Sequence, residues 1–239
     1  MQSVGRMTAQ MNNIPRPADF VEWDVRNWSA ALEFWSANTK QDPSNCLALE
    51  LGGRNGGLSL WLALQGAKVC CSDIVAPAER AMQMHQARGV SQLIRYESID
   101  ASNIPYEDTF DVVVFKSLLG DVGRCGGRES QAQAIAEMHK ALKKGGELFF
   151  AENLIASAFH QSLRKRFVEW GKVWRYVSVA EMEDFLSLFS RVRYCTVGFA
   201  GAFGRSEIQR EVFGILDHAV LDHVVPEDWK YIIIGVATK

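Results

Sequence analysis

The stretch from Leu47 to Leu64, reading LALELGGRNGGLSLWLAL, constrains the fold more than any other part of the chain. An apolar run of strand length meets a cluster of glycines, and an apolar run of helical length follows at once. Glycine admits positive φ and lets a ligand approach the backbone, so a glycine loop between a strand and a helix N-terminus makes a ligand cradle. From Asn45 onward the segments keep alternating. Strands are expected over Cys46–Leu51, Val69–Ser72, Leu93–Ser98, Phe110–Phe115 and Glu147–Glu152, with helices over Leu58–Gln65, Pro77–Arg88 and Glu129–Lys143. Lys143 and Lys144 suit a helix C-terminus, and Gly145-Gly146 supplies its stop. This interval is that of βαβ crossovers, which predicts an α/β fold.

The flanks read differently. Residues 1–17 are polar, contain Pro15 and Pro17, and are expected to form a flexible tail. From Asp19 to Trp35, Phe20, Trp23, Trp28, Leu32 and Trp35 approximate helical spacing. That segment reads as a core-facing helix or as an aromatic lid, and residues 18–44 are expected to form a helical N-terminal cap. After the alternating region come helical stretches near 158–170 and 179–189 and a strand near 192–198. An irregular region over 199–229 and a last strand, Tyr231 to Thr238, follow. Residues 45–239 thus read as one domain with a substrate-side insertion near 199–229.

The loop itself separates two cofactor classes. A dinucleotide fingerprint is GxGxxG, but Gly52 is followed two positions later by Arg54 and the pattern here is GxRxxG. The second glycine of the fingerprint lets the backbone approach a pyrophosphate, and an arginine Cβ obstructs that approach. A nicotinamide-dependent oxidoreductase therefore loses ground.

Glu50-Leu51-Gly52-Gly53-Arg54-Asn55-Gly56 resembles motif I of the class I S-adenosylmethionine-dependent methyltransferases, matching it at Glu50, Gly52 and Gly56 and departing from it at Arg54. The resemblance continues in order along residues 45–153. Asp73, followed by Ile74, corresponds to the acid that holds the ribose hydroxyls. Asp100 and Ala101 correspond to the pair that reads the adenine amino group and ring. Phe110 to Val114 is similar to motif IV, and Met138 to Gly146 resembles the helix-turn-strand before motif VI. The resemblance implies a Rossmann-like, seven-stranded, mostly parallel sheet with helices on both faces and an antiparallel last strand. It also implies S-adenosyl-L-methionine as cofactor and S-adenosyl-L-homocysteine as product. The expected cofactor site comprises Glu50, Gly52, Gly53, Arg54, Gly56, Asp73, Ile74, Asp100, Ala101 and Lys116. Arg54 reads either as a partner of the methionyl carboxylate or as a solvent-facing side chain.

Ligands in open α/β folds lie beyond the carboxyl ends of the strands, which directs attention to Lys116, Ser117, Asp121, Glu152 and Asn153. An alcohol acceptor needs a base within hydrogen-bond reach, whereas an unprotonated amine does not. Asp121, Glu152 and His160 are the catalytic candidates. His218 and His223, each following an aspartate, are more simply structural, and no metal is assigned. The glycine-rich segment after Phe115 reads as a flexible connector or as a mobile wall of the site. Arg205 and Arg210, within FAGAFGRSEIQR, suit an anionic substrate group. Together with Trp28, Trp170, Trp174 and Tyr176 they point to a small polar acceptor stacked on aromatics: a sugar, sugar-nucleotide or secondary metabolite methylated on oxygen. A noncatalytic binding protein on the same fold is the alternative.

Composition sets the remaining limits. A net charge of −2 offers no global basic field for a phosphate backbone, so nucleic acid is not expected as a partner. The run Arg164-Lys165-Arg166, with Lys172 and Arg175 beyond, reads as a solvated helix face. No apolar stretch reaches the roughly 18 residues of a membrane span, nor is there a basic-then-apolar signal segment. The five cysteines are an odd set without a CxxC pair. A cytoplasmic protein, monomer or homodimer, is expected.

Overall fold

The computed structural model describes residues 14–75, 77, 79–167 and 173–239. Strands β1 (Leu47–Leu51), β2 (Lys68–Asp73), β3 (Ile94–Ser98), β4 (Phe110–Lys116), β5 (Leu142–Asn153), β6 (Arg191–Val197) and β7 (Ile232–Thr238) form one sheet. Their order is β3-β2-β1-β4-β5-β7-β6. β1 to β5 run parallel, and β7 is antiparallel to both of its neighbours. This is the Rossmann-like sheet the motif order implies. β1 and β4 are central and nearly wholly buried, which is why they read as continuous apolar runs rather than alternating ones.

Side chains of β4 alternate between two cores, as the pleat requires. Val112 and Val114 join Trp28 and Trp35 of α2 (Val25–Asn38) and Leu58 and Leu62 of α3 (Gly57–Leu64) on one face. Val113 and Phe115 join Ile135 and Met138 of α5 (Leu119–Ala141) on the other. α4 (Glu79–Ala87) connects β2 to β3. Among the described residues no helix is long and apolar enough to cross a membrane.

The structure departs from the sequence expectations in four places. The helix expected over Asp19–Trp35 is two, α1 (Pro17–Val21) and α2, because Glu22 (φ 69) and Asp24 (φ 46) take left-handed conformations between them. α1 lies on the glycine loop, so close that a Cβ on Gly57 would collide with the Phe20 carbonyl. Trp35 of α2 donates its indole N–H to the Gly235 carbonyl of β7 (3.0 Å), making that helix part of the core. The helix expected from Glu129 begins at Leu119 and is kinked at Gly127 (φ 66, ψ −149), so the glycine-rich connector is largely helical.

That helix also ends at Ala141 rather than Lys143. Lys143 instead pairs with Asp111 (2.8 Å), and β5 starts at Leu142. The 199–229 region expected to be irregular contains α8 (Glu207–Leu216), capped by the Ser206 hydroxyl, after α6 (Ala158–Phe167) and α7 (Val179–Phe185) have passed. Asp217, fully buried at the end of α8, accepts from the Ala200 and Gly201 N–H groups (2.7 and 2.8 Å) and so folds this region back on itself. Most of the tail expected over 1–17, together with Trp170 and Lys172, lies outside the described residues.

Candidate functional site

The glycine loop uses its polar groups internally. Gly52 (φ 67) and Gly56 (φ 71) occupy the left-handed region, and Arg54 (φ 41) shares it at the cost a Cβ imposes. The Gly53 N–H donates to the Ser72 carbonyl (2.8 Å), and the Arg54 N–H donates to Asp73 Oδ2 (2.9 Å). The Gly56 N–H turns back to the Gly53 carbonyl. Glu50 is buried and accepts from the Leu58 and Ser59 N–H groups (3.2 and 2.9 Å) and from the Ser59 hydroxyl. The N-terminus of α3, the place a pyrophosphate would need, is therefore filled by the protein's own carboxylate. Burial pushes the Glu50 carboxyl up to about 7, opposed by these hydrogen bonds.

Two cavities open beyond the carboxyl ends of β1, β2 and β4. The first, about 300 Å³, is lined by Glu22, Trp23, the Gly52–Arg54 backbone, Lys116 and Trp174. The second, about 390 Å³, is lined by Ile74, Asp100, Ala101 and the Cys125 turn of α5. Gly52, Asp73, Leu118 and Asp121 border both, so the two form one elongated site. Asp73 accepts from the Ile74 N–H through Oδ1 (2.7 Å), which fixes its carboxylate at the junction. Asp100 accepts from the Ser102 N–H (2.8 Å) and hydroxyl, holding the loop that walls the second cavity.

Each expected cofactor residue except Gly56 borders one of these cavities. Gly56 sits behind the loop against His85, whose Nε2 lies 2.8 Å from its carbonyl oxygen. His85 backs the loop through this contact, which joins two distant segments and has no mark in the local sequence. The Arg54 side chain is 72% exposed and reaches Glu22 at 4.0 Å.

Lys116 ends β4 beneath an aromatic roof. Its Nζ lies 4.5 Å from the Trp28 ring centroid and 5.1 Å from that of Trp23. Burial pulls the ammonium down to about 8, partly opposed by the charge of Glu22. Trp28 is fully buried behind this contact, and Trp23 is the tryptophan of the pair that faces the cavity. Trp174 reaches the first cavity because Gly120 leaves its indole the space a Cβ would fill.

The three catalytic candidates separate in space. Asp121 borders both cavities and pairs with Arg124 (3.0 Å). Glu152 is fully buried and borders neither: it accepts from the Leu118 and Leu119 N–H groups (2.8 and 2.7 Å) and from the Asn153 N–H (2.7 Å). It holds the turn from β4 into α5, and burial pushes its carboxyl up to about 7. His160 is buried elsewhere, with Nε2 facing the Phe199 carbonyl oxygen (2.9 Å) and Nδ1 facing the Ser157 hydroxyl (2.7 Å). A carbonyl only accepts, so Nε2 carries the proton, and burial lowers the pKa of the ring. His160 borders a third cavity, of about 550 Å³, with Arg205 and Arg210.

A methyltransferase domain model matches residues 49–150, the segment that builds the loop, Asp73, Asp100 and β4. Residues 49–150 are thus a methyltransferase domain, and the fold around them is that of the class I S-adenosylmethionine-dependent methyltransferases. No curated protein matches the chain in sequence. Among solved structures, the MccD protein superposes with a TM-score of 0.58 at 15% identity over 88% of this chain and 96% of that one. Phosphoethanolamine N-methyltransferase 2 of Haemonchus contortus, solved with S-adenosyl-L-methionine, gives 0.63 at 13% identity over 89% of this chain and 52% of that one. Geranyl diphosphate C-methyltransferase of Streptomyces coelicolor, solved with S-adenosyl-L-homocysteine, gives 0.60 at 14% over 88% and 79%. At these identities the likeness is one of fold, and the two acceptors named, phosphoethanolamine and geranyl diphosphate, have little chemistry in common.

Proposed function

We propose that this methyltransferase transfers the methyl group of S-adenosyl-L-methionine to an oxygen of a small polar acceptor such as a sugar or sugar-nucleotide. The observation that carries the cofactor reading is the elongated double cavity around Asp73, combined with a helix N-terminus already filled by Glu50. A phosphate-free cofactor needs no open helix N-terminus. Glu22, Asp73 and Asp121 give the lining an acidic character that suits a sulfonium cation.

In this reading Asp73 accepts from the ribose hydroxyls, and Asp100 with the Ala101 N–H reads the adenine edge. Lys116 and Arg54 are the cations of the first cavity for the methionyl carboxylate. When bound, S-adenosyl-L-methionine supplies a methyl carbon already activated toward displacement by its sulfonium. The protein's work is then alignment and exclusion of water, for which Trp23 and Trp174 form the walls. Asp121 is the general base for an alcohol acceptor. Glu152 acts at one remove, holding the Leu118–Leu119 backbone that borders the site.

The test is turnover with methyl-labelled cofactor and a panel of sugars, sugar-nucleotides and phenols. Label on an acceptor oxygen is expected, with a ~100-fold or greater fall in kcat for Asp121→Asn. Cofactor binding without S-adenosyl-L-homocysteine formation on any acceptor would favour a noncatalytic binding protein on the same fold.

A further inference from the structure

The third cavity and a fourth, of about 390 Å³, meet at Arg164 and form a vestibule in which the charged side chains among the described residues are all of one sign. Arg164, Arg205 and Arg210 border the third, and Arg164, Lys165 and Arg175 the fourth, with no carboxylate in either lining among the described residues. In a chain of net charge −2 such segregation is not a matter of composition. Arg175 and Arg210 have acidic partners, Glu181 (2.5 Å) and Glu207 (3.3 Å). Arg164 has none among the described residues.

Arg164 is nevertheless held in place. Its Nη1 donates to the carbonyls of Leu154 (2.7 Å) and Ile155 (3.2 Å), and its guanidinium stacks 4.1 Å over the Tyr176 ring. Carbonyls and a ring face orient a guanidinium without cancelling its charge, and an arginine keeps that charge under burial. A preorganised, partly desolvated cation without a counter-ion is the arrangement that recognises a carboxylate or phosphate.

The vestibule also communicates with the cofactor site. Trp174 borders both the fourth cavity and the first. Arg210 lies 5.9 Å over the Trp23 ring, which Lys116 approaches at 5.1 Å. We infer that the vestibule centred on Arg164 binds the anionic group, carboxylate or phosphate, of the acceptor and so presents the acceptor's other end past Trp174 to the first cavity. The anion site stands on its own geometry; that its ligand is the methyl acceptor rests on the methyl-transfer reading.

Calorimetric titration at constant ionic strength, balanced with chloride, uses inorganic phosphate and acetate as separate probes and S-adenosyl-L-methionine as a third. Phosphate, acetate or both should bind the wild-type chain, and the difference between them identifies the preferred anion. Arg164→Gln should weaken that binding at least 10-fold and Arg210→Gln at least 3-fold, with cofactor affinity within about 2-fold of wild type. Arg210→Gln, at the rim, carries the test if circular dichroism shows Arg164→Gln unfolded. No heat above the chloride control for either anion, or wild-type anion affinity in the folded variants, overturns the inference. Anion binding without cofactor binding leaves the vestibule standing and overturns the methyl-transfer reading instead.

Discussion

Replacing Lys116 by Met should stabilise the protein while impairing it. The fold lowers the Lys116 pKa from 10.5 to about 8, a difference worth about 3 kcal/mol at ~1.4 kcal/mol per pKa unit. That figure measures how much the folded protein disfavours the ammonium. The Trp28 and Trp23 ring faces, at 4.5 and 5.1 Å, return roughly 0.5–1 kcal/mol each. The net cost of the buried charge is thus about 1–2 kcal/mol, which Met, flexible and apolar, does not incur. At this chain length the gain corresponds to a Tm higher by about 2–8 °C. The effect has a pH signature. Between about 8 and 10.5 the unfolded chain holds the lysine proton and the folded one does not, so wild-type stability rises with pH in that window. The advantage of Lys116→Met must be full at pH 7 and shrink as pH rises through 8 toward 10. Urea denaturation of both proteins at pH 7 and 9.5 measures it, alongside cofactor affinity, which should fall in the variant. A variant less stable at pH 7, or a gap that does not change with pH, would refute the assignment of Lys116 as a strained functional cation.

Other substitutions probe the scaffold of the site. Gly57→Ala should lift α1 off the glycine loop, because its Cβ meets the Phe20 carbonyl. We expect a cost of about 1–3 kcal/mol in denaturant and faster proteolysis at α1. Glu152→Gln puts an amide NH₂ where a carboxylate oxygen accepts backbone N–H groups, so it should cost about 1–3 kcal/mol at neutral pH and lower kcat through Leu118. Because the folded Glu152 pKa stands near 7 against an ordinary 4.5, the wild-type protein gains stability relative to this variant as pH falls from 7 to 5. Denaturation at the two pH values reads that difference.

The parts of the site legible in the sequence are those set by local chain chemistry. The glycines at 52 and 56 announce a loop of positive φ, and the alternation of apolar runs announces the sheet that holds Asp73 and Asp100 at strand ends. What escaped detection depends on contacts between distant segments. Glu152 looks like an active-site acid because it ends β5, but the N–H groups that occupy it come from Leu118 and Leu119, far back in the chain. His160 looks like a base until Phe199 and Ser157 take both ring nitrogens. A continuous helix was the natural reading of the tryptophan spacing, and only the turn at Glu22–Asp24 sends Trp28 inward while Trp23 faces the cavity. Arg164 read as part of a solvated basic face, because nothing local shows that Tyr176 and two carbonyls hold it inward. The helix α8 was obscured by the glycines and arginines before it, although Ser206 and Glu207 form an ordinary N-terminal start.

Calorimetric titration of S-adenosyl-L-methionine and of NADH into the wild-type chain and into Asp73→Ala separates the two cofactor classes in one experiment. Saturable binding of S-adenosyl-L-methionine, at least 10-fold weaker in Asp73→Ala, is expected, with no heat from NADH, whose pyrophosphate finds the α3 N-terminus closed by Glu50. Binding of NADH without S-adenosyl-L-methionine binding would contradict this expectation.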